Sequence, residues 1–260
     1  MSGLHRSPFH GYSAEFSQYR HYRPGDDLKY VDWKLVARTD RLYTKQFRET
    51  TNMASAIVLD TSASMDFPPT LSKFRYAVIA AAALAHLISG QGDAVGLLAG
   101  DRFQPPRAGR QHLRGLLAGL SLLRPAGSWS VADNVRRAAE RLKRRGLLLV
   151  FSDFYDDEER TLTELRRASR MGHEVMLFQI LSREEIELPY SRDLEFTDLE
   201  TGRSLAINAG LARRDYTDAV AAFLERWHSR AGAEGFQYSL IVTDTPPERA
   251  LRNVLLARRR

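Results

Sequence analysis

The sequence predicts an α/β fold, with a mostly parallel sheet and helices on both of its faces. Three observations carry this. From residue 55 onward, short aliphatic runs alternate with longer amphipathic stretches, the pattern of a parallel sheet covered by helices. Most of the short runs are continuously apolar, as in strands buried on both faces; half-exposed antiparallel strands would alternate. Finally, 260 residues at 43 % hydrophobic suffice for one sizeable core plus an appendage.

Taken in order, the expected strands are residues 55–60, 94–99, 147–152, 174–181 and 237–242. Helices are expected at 71–89, 110–122, 131–145, 158–171 and 212–231. Two regions break the alternation. Residues 194–207, "LEFTDLETGRSLAI", read as two short strands around a Thr-Gly turn, a hairpin between a strand and the last helix. The first fifty residues are dense in aromatics and charges, with Pro24-Gly25 as a turn signal. Alternation from Lys29 to Lys34 suits a strand, so the segment is expected to be a β-ribbon packed on the sheet edge, with Tyr30 and Trp33 as core anchors. The expected organisation is a signature segment at 1–50, an α/β domain at 51–245 with a hairpin insertion near 190–208, and a basic tail at 246–260.

Composition removes several function classes. No apolar run reaches the roughly 18 to 20 residues of a membrane helix, and the start "MSGLHRSPFHGYSAEF" lacks the features of a secretory signal. Cysteine is absent, so neither disulfides nor thiolate metal sites are available, which fits a reducing cytoplasm. The formal charge is +6, and basic residues gather at 136–145 and in Arg258, Arg259 and Arg260. On a helix, Arg136, Arg137, Glu140, Arg141, Lys143 and Arg144 share an outer face while Val135, Ala138, Ala139 and Leu142 point inward. Aromatic residues are not interleaved with these charges as nucleic-acid stacking platforms require, so a basic nucleic-acid scaffold is the weaker reading.

The stretch "IVLDTSASM" ends an aliphatic strand with an aspartate and two serines. A helix cap, a catalytic nucleophile and a cluster of oxygen ligands for a cation each account for it. Asp60, Ser62 and Ser64 are expected at the carboxyl end of one strand and Asp153, in "FSDFYDD", at the carboxyl end of another. In open parallel sheets ligands bind in the crevice outside those ends, so Asp60 and Asp153 can face each other there. Two converging carboxylates repel unless a cation lies between them, and magnesium needs only a few protein oxygens because it keeps waters. The acidic run at 156–159 is expected to offset the positive end of the following helix.

Enzymatic readings fail at specific residues. There is no glycine-rich phosphate loop ending in Gly-Lys-Ser/Thr and no Gly-x-Ser-x-Gly elbow around Ser62 or Ser64. An aspartyl phosphotransferase usually carries a second carboxylate two residues after its nucleophile; here that position is Ser62. His86 in an apolar helix and His173 before a strand read as structural.

"DTSAS" after an aliphatic strand resembles the Asp-x-Ser-x-Ser motif of von Willebrand factor A domains, where it forms the metal-ion-dependent adhesion site. That resemblance implies a Rossmann-like fold, with a threonine from a second loop and an aspartate from a third completing the site. Asp153 matches the third-loop aspartate. The second loop, "RPAGSWSVADNV", offers Ser128 and Ser130 in place of the threonine, with Trp129 at the aligned position. A longer match, "YRPGDDLKYVDWKLVARTDRLYTKQF" followed by "LDTSASM", resembles the bacterial family known as domain of unknown function 58. Its diagnostic residues correspond to Arg23, Gly25, Asp26, Asp27, Asp32, Trp33 and Arg38, although Arg23 stands closer to Gly25 than in the family pattern. A structural clamp and a partner surface are both open roles for them.

The resemblance implies a non-enzymatic, cytoplasmic interaction module of the short soluble form. Asp60, Ser62, Ser64, Ser128 or Ser130, and Asp153 would hold Mg2+, Mn2+ or Ca2+ and leave a position for a partner's carboxylate. A MoxR-type AAA+ ATPase is the implied partner, in chaperone-like assembly or activation. A metal-dependent phosphatase or hydrolase using Asp60 is the alternative.

Overall fold

The computed structural model describes residues 14–49 and 53–257. Arg258, Arg259 and Arg260, and the opening stretch before residue 14, lie outside the described residues. The chain divides into two compact units, residues 1–52 and 53–260.

In the first unit, β1 (Ala14–His21) and β2 (Tyr43–Glu49) form the expected antiparallel ribbon. Between them the expected strand at 29–34 is replaced by a 3-10 turn, Leu28–Tyr30, and the helix α1, Trp33–Thr39. The reason is local: Asp27 accepts from the amide of Lys29, and Asp32 Oδ1 accepts from Lys34 and Leu35, so two aspartates cap two helical turns where alternation suggested a strand. Only Val31 of this stretch pairs, as a single bridge to Thr44. Val31 is buried, whereas Tyr30 is 41 % and Trp33 61 % exposed, so neither aromatic is the core anchor expected of it.

The signature acids act as a clamp within this unit. Asp26 takes Arg20 through both carboxylate oxygens at 2.8 and 3.0 Å and also accepts from the Arg23 amide and the Thr44 hydroxyl. Gly25, at φ 103°, makes the turn that brings Asp26 back onto Arg23. Asp32 adds the Tyr19 hydroxyl at 2.9 Å and Lys45 at 3.0 Å, and these partners hold its carboxyl down at about 2.

The second unit is a six-stranded sheet in the order β10-β7-β6-β3-β4-β5. Its members are β3 (Ala54–Leu59), β4 (Ala94–Ala99), β5 (Arg102–Arg107), β6 (Gly146–Ser152), β7 (Glu174–Leu181) and β10 (Gln237–Val242). All neighbours are parallel except β5, an antiparallel edge strand not expected from the sequence. Its "RFQPPR" is polar and proline-rich, a composition suited to an edge, where missing backbone donors cost little.

Successive residues of β3 point to opposite faces and build two cores. Ile57 and Leu59, with Phe151 and Phe178, pack under α2 (Lys73–Gly90), α3 (Arg110–Leu122) and α8 (Pro247–Ala257). Ala56 and Val58, with Leu148, Val150 and Leu177, pack under α4 (Val131–Arg141), α5 (Glu158–Arg170) and α7 (Ala209–Ala233). Each fully buried aliphatic side chain contributes roughly 1.5–3 kcal/mol, so the central strand between the two layers is the most firmly held element.

Two further expectations need correction. Residues 247–257, expected within a basic tail, form α8, whose Ala250 and Leu251 enter the core. Helix α4 ends at Arg141, because Leu142 turns extended and 143–145 carry the chain around to β6. The hairpin is present as β8 (Asp193–Thr197) and β9 (Ser204–Asn208), after a short helix α6 (Arg183–Glu187). Among the described residues no helix is long and apolar enough to cross a membrane.

Candidate functional site

The carboxyl ends of β3 and β6 lie side by side, and the Asp60 amide extends their ladder by donating to Phe151 O at 2.9 Å. The chain then leaves the sheet, so Asp60, Ser62 and Ser64 from one strand meet Ser152 and Asp153 from the next. Asp60, Ser62, Ser152 and Asp153 are all buried. The Ser62 amide donates to Asp60 Oδ1 at 2.8 Å and the Ser152 hydroxyl to Oδ2 at 2.5 Å, locking the carboxylate in the loop. Ser62 precedes a 3-10 turn, Ala63–Asp66, without capping it through its side chain; its Oγ lies 2.9 Å from Ser64 Oγ instead.

Asp153 is held equally firmly. Phe154 after it adopts a left-handed φ of 60°, with its amide on Ser152 Oγ and its ring packed on Trp227 at 4.8 Å. This conformation costs about 1–2 kcal/mol for an L residue, and the packing holds it. The Gln179 amide group donates to Asp153 O at 2.8 Å and is itself fixed by the Tyr238 hydroxyl.

The second loop is stitched to the first: Ala63 N donates to Gly127 O and Ala126 N to Thr61 O, both at 2.8 Å. Ser130 caps α4 through Asp133 N at 3.4 Å, and Ser128 is exposed. Both line a cleft of about 330 Å³ with Thr61, and neither hydrogen-bonds Asp60, Ser62, Ser64 or Asp153 among the described residues. The acidic run behaves as expected at Asp157, which caps α5, while Asp156 accepts from Val131 N and ties α5 to the start of α4. Exposed His86 and buried His173, whose Nε2 lies 3.2 Å from Ala139 O, take no part in the site.

Sequence reasoning missed Lys73. Its fully buried ammonium lies 2.7 Å from Asp153 Oδ2 and 2.5 Å from Glu185 Oε1, and 5.3 Å from the centre of the Tyr155 ring. Burial works against the charge, but Asp153 and Glu185 outweigh it and hold Lys73 above the ordinary lysine value. One signal was available: a lysine in the first turn of a helix opposes the macrodipole, so it needs an acid close by.

Asp60 has no such relief, since among the described residues it makes no ion pair. Burial, with Asp153 nearby, pushes its carboxyl up to about 7. With Asp60 ionised, the three carboxylates of Asp60, Asp153 and Glu185 against the one ammonium of Lys73 leave a formal charge of −2. Adjacent vertices of an octahedron with bonds of about 2.1 Å lie about 3.0 Å apart, close to the spacing of the two serine hydroxyls. That spacing is also an ordinary hydroxyl–hydroxyl hydrogen bond, and among the described residues no three acidic or imidazole side chains gather to hold a metal, so a dication here would rest on hydroxyls beside Asp60 and Asp153.

The parallel sheet with its antiparallel edge, helices on both faces and loops gathered at its carboxyl end define a doubly wound α/β domain. The chain belongs to the family described as "Protein of unknown function DUF58", whose profile matches residues 18–225. The Mycobacterium tuberculosis protein Rv1480 is 33 % identical over 236 residues, covering 85 % of this chain and 72 % of its own length. Among solved structures, an aerotolerance-related membrane protein from Bacteroides fragilis matches with TM-score 0.52 at 15 % identity, over 78 % of this chain and 99 % of that one. BatB from Bacteroides thetaiotaomicron matches with TM-score 0.51 at 14 % identity, over 79 % and 98 %. At such identities the likeness concerns the fold alone.

Proposed function

We propose that the chain is a non-catalytic protein-interaction module of the adhesion-site type. Asp60, Ser62, Ser64 and Asp153, with a hydroxyl from Ser128 or Ser130, would hold Mg2+, or Mn2+ or Ca2+, and a partner protein would supply a carboxylate. The observation that carries this reading is the pair of serine hydroxyls 2.9 Å apart beside a buried aspartate that has no cation of its own. A bound dication supplies attraction for one more oxygen anion.

The chain's own groups do the positioning. The Ser62 amide and Ser152 hydroxyl aim Asp60, Lys73 restrains Asp153, and Gln179 holds the backbone between them. A nucleophilic role for Asp60 is disfavoured, because both its oxygens already accept hydrogen bonds and a carboxyl raised to about 7 is partly protonated near neutrality. The family resemblance supplies the partner class, a MoxR-type AAA+ ATPase, with this chain as its cytoplasmic adaptor.

Calorimetric titration of Mg2+ and Mn2+ into the wild type and Asp60→Ala tests the site: heat in the first and none in the second is expected, and equal or absent heats would overturn it. Capture of the ATPase that is lost with chelator is the expected partner result. Magnesium-dependent turnover of a phosphate ester, lost in Asp60→Asn, would restore the enzymatic reading.

A further inference from the structure

The helices of the second unit carry their surface charge in two different ways. On α4, α5, α6 and α7 the arginines are paired: Arg136, Arg160, Arg167, Arg183 and Arg230 each lie 2.5–3.0 Å from a carboxylate. Lys73 apart, every ion pair of this unit among the described residues includes an arginine of those four helices. Helices α2, α3 and α8, which cover the other face of the sheet, hold a single acid, Glu248. Their exposed arginines, Arg75, Arg110, Arg114, Arg249 and Arg252, enter no ion pair among the described residues.

The same helices expose aliphatic side chains in line with these arginines. Arg75, Ile79, Ala83 and Leu87 stand at intervals of four along α2, and Arg110, Arg114, Ala118 and Leu122 do so along α3. Leu122 is 70 % and Leu256 53 % exposed. Between α2 and α8 an apolar groove of about 540 Å³ is lined by Leu87, Leu251, Leu255 and Leu256, with His86 and Arg252 in its walls. Cations and aliphatics thus stand side by side with almost no acid between them. Nucleic acid would meet the guanidinium groups but gain nothing from the leucines, and these helices expose no Phe, Tyr or Trp for a base to stack on. A bilayer with anionic headgroups uses both: arginine pairs with phosphate oxygens, while the aliphatics and the groove meet the acyl boundary.

We propose that the α2–α3–α8 face is a docking surface for a bilayer rich in anionic phospholipid, met peripherally and without a spanning helix. This surface is independent of the cation reading. Asp60 and Asp153 lie past the strand ends of the sheet, whereas these helices lie along its face, so docking leaves the loops open to a partner. Each arginine held near an anionic surface multiplies partitioning by about five, so the arginines and the exposed leucines together give reversible binding that salt weakens.

Flotation with vesicles of phosphatidylcholine, alone or with a third phosphatidylglycerol, tests this in chelator, which removes bridging by dications. The wild type should float with the anionic vesicles, stay behind with the neutral ones and be released by high salt. Arg110→Gln with Arg114→Gln should lower partitioning roughly 25-fold, about fivefold for each arginine. Leu255→Ser with Leu256→Ser should lower it as well. Arg160→Gln with Arg226→Gln, the same loss of charge from α5 and α7, should leave it within about twofold, because those helices cover the opposite face of the sheet. All six positions are exposed, so the variants keep the fold, which urea unfolding checks. No wild-type binding to the anionic vesicles would overturn the proposal, as would equal losses in the two arginine variants or binding untouched by the leucine changes. Salt-sensitive binding of a DNA duplex without vesicle binding would overturn it too and assign the face to nucleic acid.

Discussion

Replacing Lys73 by methionine tests the charge balance of the site most directly. The substitution keeps a chain of similar length in a fully buried position and removes the only ammonium that pairs with Asp153 and Glu185 among the described residues. Breaking a buried ion pair costs about 3–5 kcal/mol, because the surviving charge stays desolvated. The Asp153 side chain is 3 % exposed and cannot recover water, while that of Glu185 is 15 % exposed and recovers some, which places the loss near the lower end, about 3 kcal/mol. For a unit of this size that is a fall in Tm of roughly 6–12 °C. The assay is thermal and urea unfolding in chelator and again in excess Mg2+. Magnesium should stabilise Lys73→Met more than the wild type, since a dication beside Asp153 replaces part of the missing charge. A variant within about 2 °C of the wild type in chelator would refute the stabilising role of the pair. Equal stabilisation of both proteins by magnesium would refute the idea that lysine and cation share the charge of Asp153.

Three other outcomes follow from the same structure. Because the Asp60 carboxyl is raised to about 7 when folded and titrates near 3.8 when unfolded, in chelator Asp60 should lower stability as pH rises between those values; saturating magnesium should offset this, and Mn2+ affinity should weaken about tenfold per pH unit below about 7, where a proton must be displaced. A pH-independent Mn2+ affinity between pH 5 and about 7 would contradict the raised value. Leu251→Ala should cost about 2–5 kcal/mol in urea unfolding, as for any buried leucine, and a loss near zero would mean that 247–257 is a detached tail after all. Gly146→Ala should prevent folding or cost several kcal/mol, since a Cβ there would sit 2.0 Å from Ala54 O where β3 and β6 run closest; expression of a stable variant would count against that register.

What was legible in the sequence follows the physics that each signal reports. Continuous apolar runs identified most of the parallel strands because burial on both faces demands them, while the edge strand β10, "QYSLIV", is partly exposed and less apolar; the loops at their ends followed from that order. The placement of Asp60 and Asp153 just past two neighbouring strand ends was therefore readable before any coordinates. The first unit was misread at 29–34 because short polar caps, Asp27 and Asp32, outweighed an alternation of only six residues. Strand β5 was hidden by two prolines, and α8 by the arginines around its apolar stripe. Lys73 and Glu185 escaped because their meaning lies in partners far along the chain. Lys73 meets Asp153 across 80 positions and Glu185 across 112, and local periodicity has no access to such pairs.

These distant groups change how the site would work. A loop holding only Asp60, Ser62, Ser64 and Asp153 would depend on a cation merely to bring its two carboxylates together. Here Lys73 already neutralises part of Asp153, so the loops can form without metal, and the raised Asp60 can shed its remaining charge by taking a proton. On the proposed reading the loops stand assembled before a cation arrives, so a dication would govern the approach of an acidic partner rather than the folding of the site.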